Sequence, residues 1–536
     1  MARRGGRLHG LLASSDRGEM AQARRSWIGV GLFSVFRLAW ASLVVLAPTL
    51  GVWVASSLAA YRNGPVWLAC AAGLLLFPVL PVLWDMVVEL LRRRKARPQD
   101  RRVLTRWDRI VLRTLAINLV FLGGLLWARP EAAFTALSTR GDWFLEHVRH
   151  PLAEQARPWL FRAADGLQWL YEAAHDNHYA EMVEAADRPA ETPTPRTGEW
   201  GDPWEKAPEA AKGEAAGGEA GGGSDVPKDS AGEAVPGDRP AEAAPPTTAW
   251  PSPAEVHPAV TAMPAETKAS VAAVGLYLKA QEPDPGRRVK AIHDFVATHL
   301  AYDADAYLAG RYPDQRAEAV LTSGLAVCAG YANLMKAIAE VTGDEVVVVV
   351  GDARGLASEV DGEPHAWNAA KIDGLWYLID ATWDSGHLKD RKFVREYSTS
   401  YLFVPPALIG ITHFPEAPAW QLRETPLSRG EFARQPMMRP QFFADKMTLE
   451  EPQRSQVTVQ RDFLMRLTNP RKRFVSARAF VGEAAEGSRC AVTGREQVEI
   501  RCSGLAPGTY NVRVFSSPVE FGVYQFVGEV QVHAAG

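Results

Sequence analysis

The stretch PHAWNAAKIDGLWYLIDATWD, residues 364–384, decides how the second half of this chain folds. Asp373–Gly374 is a type I′ hairpin dipeptide, because both central positions of that turn need positive φ. Taken as a two-residue turn, it sets His365 opposite Thr382 and Asp380 opposite Trp367. His365 and Asp380 then share one face as diagonal neighbours, within reach across an antiparallel pair. A carboxylate placed there holds one imidazole nitrogen and leaves the other directed outward, the orienting role in a nucleophile–base–acid triad. Plainer readings exist for each residue: a hydrogen-bonded histidine at a sheet surface, and a turn or capping aspartate. Asp380 nevertheless sits beside Leu378 and Ile379, where a lone carboxylate is costly unless partnered.

Upstream lies GLAVCAGYANL, residues 324–334. From Cys328 onward it reads as a helix, with Cys328 in the first turn. The positive end of the helix dipole favours a thiolate, the nucleophilic form of cysteine. A free cysteine is also commonly just a small buried residue. Cysteine on a helix N-terminus followed by His and Asp on a hairpin is a nucleophile arrangement. Contact between Cys328 and the hairpin does not follow from spacing; it needs the tertiary fold.

Taken together, Cys328-Ala-Gly-Tyr-Ala, His365-Ala-Trp-Asn and Asp380-Ala-Thr-Trp-Asp resemble the transglutaminase-like core, a papain-like fold with a Cys-His-Asp triad. Ile292-His293-Asp294-Phe295 leading to Tyr302-Asp303 is similar to the helix that leads into that core. His413-Phe414-Pro415-Glu416, Trp420-Gln421-Leu422 and Pro440-Gln441-Phe442-Phe443 resemble the segment after it in the kyphoscoliosis-peptidase family, which includes fungal cytokinesis regulators. The resemblance covers roughly 275–536. It implies Cys328 as nucleophile, His365 as general base and then acid, and Asp380 as orienting group. It implies the Cys328 backbone N–H as one oxyanion donor and places no second. It implies a cysteine peptidase or amidase working through a thioester acyl-enzyme. Amine-accepting transglutamination and a silent scaffold on the same fold are the alternatives. No cofactor or metal is expected: the acidic groups lack calcium-ligand spacing.

The whole chain has 536 residues, 47% apolar and 23% charged, with a formal net charge of -3. That is too long for one globular unit. No basic excess supports nucleic-acid binding. Four cysteines exclude a disulfide scaffold or a multi-cysteine metal framework. Residues 1–26 form a basic N-terminus. Residues 27–129 read as a membrane region with spans at 38–61, 63–84 and 110–128, each about the 20 residues that cross a bilayer. Pro48, Pro78 and Pro81 should kink these helices. Arg113 lies inside the third span, where its long side chain can snorkel to the interface. The basic residues between spans two and three, Arg92 to Arg106, place that loop in the cytoplasm with the N-terminus. Three spans then put the remainder on the outer, periplasmic or extracellular side, and the partners expected are the bilayer and a protein or peptide substrate. A transporter is disfavoured, since three spans give little pore.

Residues 130–185 read as amphipathic helix, packing on itself or lying on the bilayer. Residues 186–255, rich in Pro, Ala, Glu and Gly, read as a disordered tether. Residues 256–430 form the expected catalytic domain, and 431–536 a small β-sandwich of short strands. The fold class is therefore multidomain: an α-helical transmembrane region, an α+β papain-like domain, then an all-β sandwich. Cys70 reads as apolar filler in the second span. Cys490 and Cys502 are either a disulfide or two buried thiols. A tight turn at Gly494 would set Cys490 opposite 497–499, so a bridge needs a longer loop.

Overall fold

The computed structural model describes residues 38–62, 66–94, 105–145, 148, 150–183, 193, 195, 247–482, 484 and 486–535. The basic segment 1–26, much of the arginine-rich loop and nearly all of the tether lie outside them. The chain divides into two compact units, Met1–His175 and Asp176–Gly536.

In the first unit, three helices among the described residues are long and apolar enough to cross a membrane: Leu38–Tyr61, Val66–Arg92 and Arg106–Ala128. Pro78 lies in an irregular stretch of the second, Leu75–Val79. The third starts at a capping box in which Thr105 and Asp108 satisfy each other's backbone N–H groups. Arg113 does not need to snorkel. It pairs with the buried Asp85 of the second helix, which Arg109 also reaches at 3.3 Å, so the carboxylate is held by guanidinium groups of the third helix. Helices Pro130–Arg140 and Pro151–Asp165 follow, and Ala133, Leu137 and Ala164 join Val54 and Leu122 in one apolar cluster.

The second unit is built on three helices and a five-stranded sheet. The helices are α1 (Val271–Gln281), α2 (Pro285–His299) and α3 (Cys328–Thr342). Asp284 caps α2, accepting from the Arg287 N–H, and Pro285 fills its first position, where no N–H is missed. Gly343, with φ 85°, ends α3 in a left-handed conformation that suits glycine. The strands are β1 (Glu345–Ala353), β2 (Glu363–Ile372), β3 (Leu375–Ile379), β4 (Leu402–Val404) and β5 (His413–Pro415), in the spatial order β4-β3-β2-β1-β5 and all antiparallel. The β2–β3 turn has φ 51° at Asp373 and 82° at Gly374, as a type I′ turn requires. Its register sets Ile372 opposite Leu375 and Asn368 opposite Ile379, the pairing read from the sequence.

Both sheet faces are covered, which is why residues 346–350 of β1 are a continuous apolar run. Ala370, Ile372 and Ile379 pack with α1, α2 and α3, through residues such as Val274, Phe295 and Leu334. Trp367, Ala369 and Trp376 belong instead to a core shared with Phe442, Phe463 and Val512 of the strand-rich region. The two parts of this unit therefore bury one continuous apolar core.

The strand-rich region opens with two short helices, Arg429–Arg434 and Pro440–Ala444. One sheet centres on Phe474–Val481, Gly508–Ser517 and Gln525–Ala534. The other contains Thr448–Glu451, Phe463–Thr468, Gln497–Cys502 and Ala491–Thr493. Cys490 and Cys502 are joined by a disulfide. Ala491 faces Arg501 and Thr493 faces Glu499, so a loop longer than a tight turn sets the cysteines opposite each other. Ordered packing starts before residue 256: Trp250 donates to the Ser400 carbonyl at 3.0 Å, and the Ser252 carbonyl accepts from Thr399 at 2.9 Å.

Candidate active site

Cys328, His365 and Asp380 come from three different elements and meet at one place. Cys328 is the first residue of α3, after the extended Val327. The Val327 N–H donates to Gln315 Oε1 at 3.0 Å, which fixes the chain just before the thiol. A short parallel pairing of Ala301–Tyr302 with Leu325–Ala326 brings Tyr302 alongside. Asn368 of β2 donates to the Ala332 carbonyl of α3 at 3.1 Å, locking helix to sheet.

His365 lies on β2, and its Nε2 is 2.8 Å from Asp380 Oδ2. Nδ1 is the ring nitrogen that Asp380 leaves free, and Cys328 is close enough to be among the groups that raise the imidazole. Asp380 follows the last residue of β3. Its Oδ1 accepts from the N–H groups of Thr382 and Trp383, at 2.8 and 3.1 Å, so it caps the turn that ends the strand. The two readings of Asp380, turn cap and imidazole partner, both hold, one on each oxygen.

Burial alone would discharge His365. The charges of Asp380 and Cys328, with their hydrogen bonds, outweigh it and raise the imidazole to about 10. Burial alone would likewise raise Asp380. The His365 charge and the hydrogen bonds from His365 and His413 instead hold it well below the usual carboxylate range. The imidazole of His365 is therefore protonated at neutral pH, paired with the Asp380 carboxylate.

His413 is the site residue that the sequence does not announce. It was legible only as part of a stretch resembling a family segment, with no role. On β5 its Nε2 lies 3.0 Å from Asp380 Oδ2, and its Nδ1 2.8 Å from the Thr412 hydroxyl. Burial and the neighbouring His365 charge outweigh the help of Asp380 and lower its pKa to about 4, so it is neutral and donates from Nε2. The rings of Trp383, Trp367 and Tyr401 surround it, with centroids 4.7, 5.0 and 5.5 Å away. Gly351 of β1 makes this possible: a Cβ there would lie 2.2 Å from the Phe414 carbonyl oxygen of β5.

A second buried cluster braces the turn from behind. His293 of α2 is fully buried, with Nδ1 2.9 Å from Asp294 and Nε2 3.1 Å from Asp384. Two carboxylates on two ring nitrogens require both to be donors, hence a charged ring. Burial opposes that charge, but the two carboxylates raise the group to about 9. Asp294 also accepts from Lys290 at 2.7 Å, and Asp384 from the Tyr401 N–H at 3.0 Å. Ser385 donates to the Tyr331 hydroxyl of α3 at 3.2 Å, tying the turn to the helix that carries Cys328.

Among the described residues, the one group with metal-ligand chemistry at mutual reach is His365, Asp380 and His413 itself, with ligand atoms within 4.8 Å of one another. The hydrogen bonds above already account for Asp380 Oδ2 and one nitrogen of each ring, and the chemistry they support is proton handling beside a thiol.

Residues 273–381 match the family model of the Transglutaminase-like superfamily core. Kyphoscoliosis peptidase of Mus musculus is 31% identical over 177 residues, 32% of this chain and 27% of that protein. Kyphoscoliosis peptidase of Homo sapiens is 31% identical over 180 residues, with the same coverage of 32% and 27%. Lim and transglutaminase domain protein ltd-1 of Caenorhabditis elegans is 28% identical over 130 residues, 21% of this chain and 18% of that protein. The chain thus spans 27% or less of the length of these relatives.

Proposed function

Since residues 273–381 form a transglutaminase-like domain similar to that of the kyphoscoliosis peptidases, we propose that this protein is a membrane-anchored cysteine hydrolase acting on peptide or amide bonds. The observation that carries the reading is His365 paired with Asp380 Oδ2 at 2.8 Å, with the buried Cys328 near enough to be among the groups that raise the imidazole. The Cys328 thiolate attacks the substrate carbonyl carbon, forming a C–S bond and a tetrahedral oxyanion. The C–N bond then breaks, and the amine leaves with the proton of the His365 imidazolium. His365, now neutral, takes a proton from water as that water attacks the thioester. The acid leaves and Cys328 is regenerated with the proton returned to His365. Asp380 holds the ring in the tautomer each step needs.

The three apolar helices support the anchor. The Cys490–Cys502 disulfide supports an outer-side location for the catalytic unit, since such bonds persist in oxidising compartments. An amine entering in place of water would turn the same thioester into a cross-link. Peptide substrates, glutamine-containing ones included, offered with and without a labelled amine to the full chain in detergent test the proposal. Acid release that Cys328→Ala and His365→Ala each abolish is the expected result. Incorporation of the amine in preference to water would overturn the hydrolase assignment.

A further inference from the structure

Cys328 is only 1% exposed, and part of its cover is a segment from far upstream. Residues 176–183 precede the tether, lie outside the matched domain, and still belong to the second compact unit. They carry a single short helix, Tyr179–Met182. Their contacts are few and specific. Asn177 donates to the Gly351 carbonyl at 2.7 Å, and its Nδ2 also lies 3.4 Å from the carbonyl of His365 itself. Its Oδ1 accepts from the Tyr179 N–H at 3.0 Å, which shapes the segment. Asn333 of α3 donates to the Met182 carbonyl at 2.9 Å. His178 stacks on Tyr312 and bonds its hydroxyl at 3.1 Å. Tyr179, 1% exposed, shares one apolar cluster with Cys328, Val348 and Ala366, edged by Tyr302 and Tyr312. Burial, then the charge of Cys328 and of Tyr302, push its phenol well above the ordinary range, so the ring is neutral beside the sulfur.

From this arrangement we infer that the cleft beside Cys328 is a peptide-binding subsite that takes an aromatic side chain, and that Asn177–Val183 fills it in cis and keeps the nucleophile closed. The inference rests on the reading of Cys328 as nucleophile. A substrate polypeptide would meet the same groups: the backbone carbonyl of Gly351, the side-chain amide of Asn333, and the tyrosine-edged cavity. A carbonyl carbon cannot approach a covered thiol, so the enzyme opens only when a peptide with an aromatic residue, or movement of the upstream half, displaces the segment. The segment is held by one buried ring and a handful of hydrogen bonds, which makes displacement accessible.

The test is the alkylation rate of Cys328 by iodoacetamide in the full chain in detergent, read on the Cys328 peptide by mass spectrometry. Tyr179→Ala and, separately, Asn177→Ala should speed labelling at least about tenfold by depopulating the closed state, while Tyr179→Phe stays slow. A synthetic peptide of residues 176–183 should restore slow labelling to Tyr179→Ala, and the same peptide with alanine for tyrosine should not. Restoration in trans separates an opened cleft from an unfolded protein. Labelling in both alanine variants at the wild-type rate, or fast labelling that the peptide does not slow, would overturn the inference. Adding His365→Ala to Tyr179→Ala distinguishes the two claims. If labelling is then unchanged, the nucleophile reading fails, although the covering of Cys328 by Tyr179 still stands on the single-variant comparison.

Discussion

His413 Nε2 lies 3.0 Å from Asp380 Oδ2, the same oxygen that faces His365 at 2.8 Å. One carboxylate oxygen therefore serves two imidazoles, one charged and one neutral. The neutral ring fixes the carboxylate against which the charged ring is aimed.

His413→Ala should lower kcat/KM by about 100-fold, the size of effect that a small misplacement of a reacting group produces. The loss should fall mainly on kcat. His413→Asn, whose amide can still donate to Asp380, should recover a substantial part. Equal losses in the two variants would mean that His413 only fills space.

The pH profile follows from the raised His365. Its imidazolium persists to about 10, so the alkaline limb of the rate should lie near pH 10. In Asp380→Asn the larger of the two charges that raise the imidazole is gone, while burial still lowers it. The limb should then move toward neutral pH, with kcat down by about 10⁴-fold, as when the orienting acid of a triad is neutralised. An alkaline limb that stays in place would exclude the Asp380–His365 pair as its source.

His293 should matter for stability rather than chemistry. His293→Ala leaves Asp294 and Asp384 facing each other in the interior, which should cost about 3–5 kcal/mol. The folded group sits at about 9, above the ordinary histidine value of 6.5. Its contribution is therefore fully present below about pH 6.5 and is lost as pH rises through about 9. Urea unfolding of the wild type and of His293→Ala across pH 6 to 10 should converge at the alkaline end.

The disulfide closes a short loop, at a sequence separation of 12. Replacing both cysteines with serine should lower stability by about 2–4 kcal/mol. Because Trp367 and Trp376 share a core with Phe463 and Val512, the site should melt together with the strand-rich region. Two separate calorimetric transitions within residues 247–535 would contradict that shared core.

What the sequence discloses here is local, and what it hides is long-range. Asp373–Gly374 fixes its hairpin because the φ requirement is a property of two adjacent residues. Cys328 is legible as a helix-start thiol for the same reason. The hairpin spacing predicts Asp380 opposite Trp367 and diagonal to His365 on a continuing ladder. Instead β3 stops at Ile379, and the Asp380 side chain is turned in by the N–H groups of Thr382 and Trp383, with the same contact as the result. His413 carries no local signal, since its place depends on β5 joining the far edge of the sheet beside Gly351. The partner of Arg113 was equally hidden, because Asp85 lies just past the end of an apolar run. Amphipathic patterning over 130–185 could not tell that its last residues, from Asn177 on, would belong to the second unit and pack beside Cys328.

Acyl transfer at Cys328 is the step on which the proposed function depends. The direct measurement is the intact mass of the Tyr179→Ala chain quenched with acid during turnover of a peptide substrate. The expected result is an added mass equal to the acyl half of the substrate, mapped to Cys328, labile to hydroxylamine, and absent in His365→Ala. No adduct on Cys328, together with alkylation of that thiol at a rate His365→Ala leaves unchanged, would contradict it.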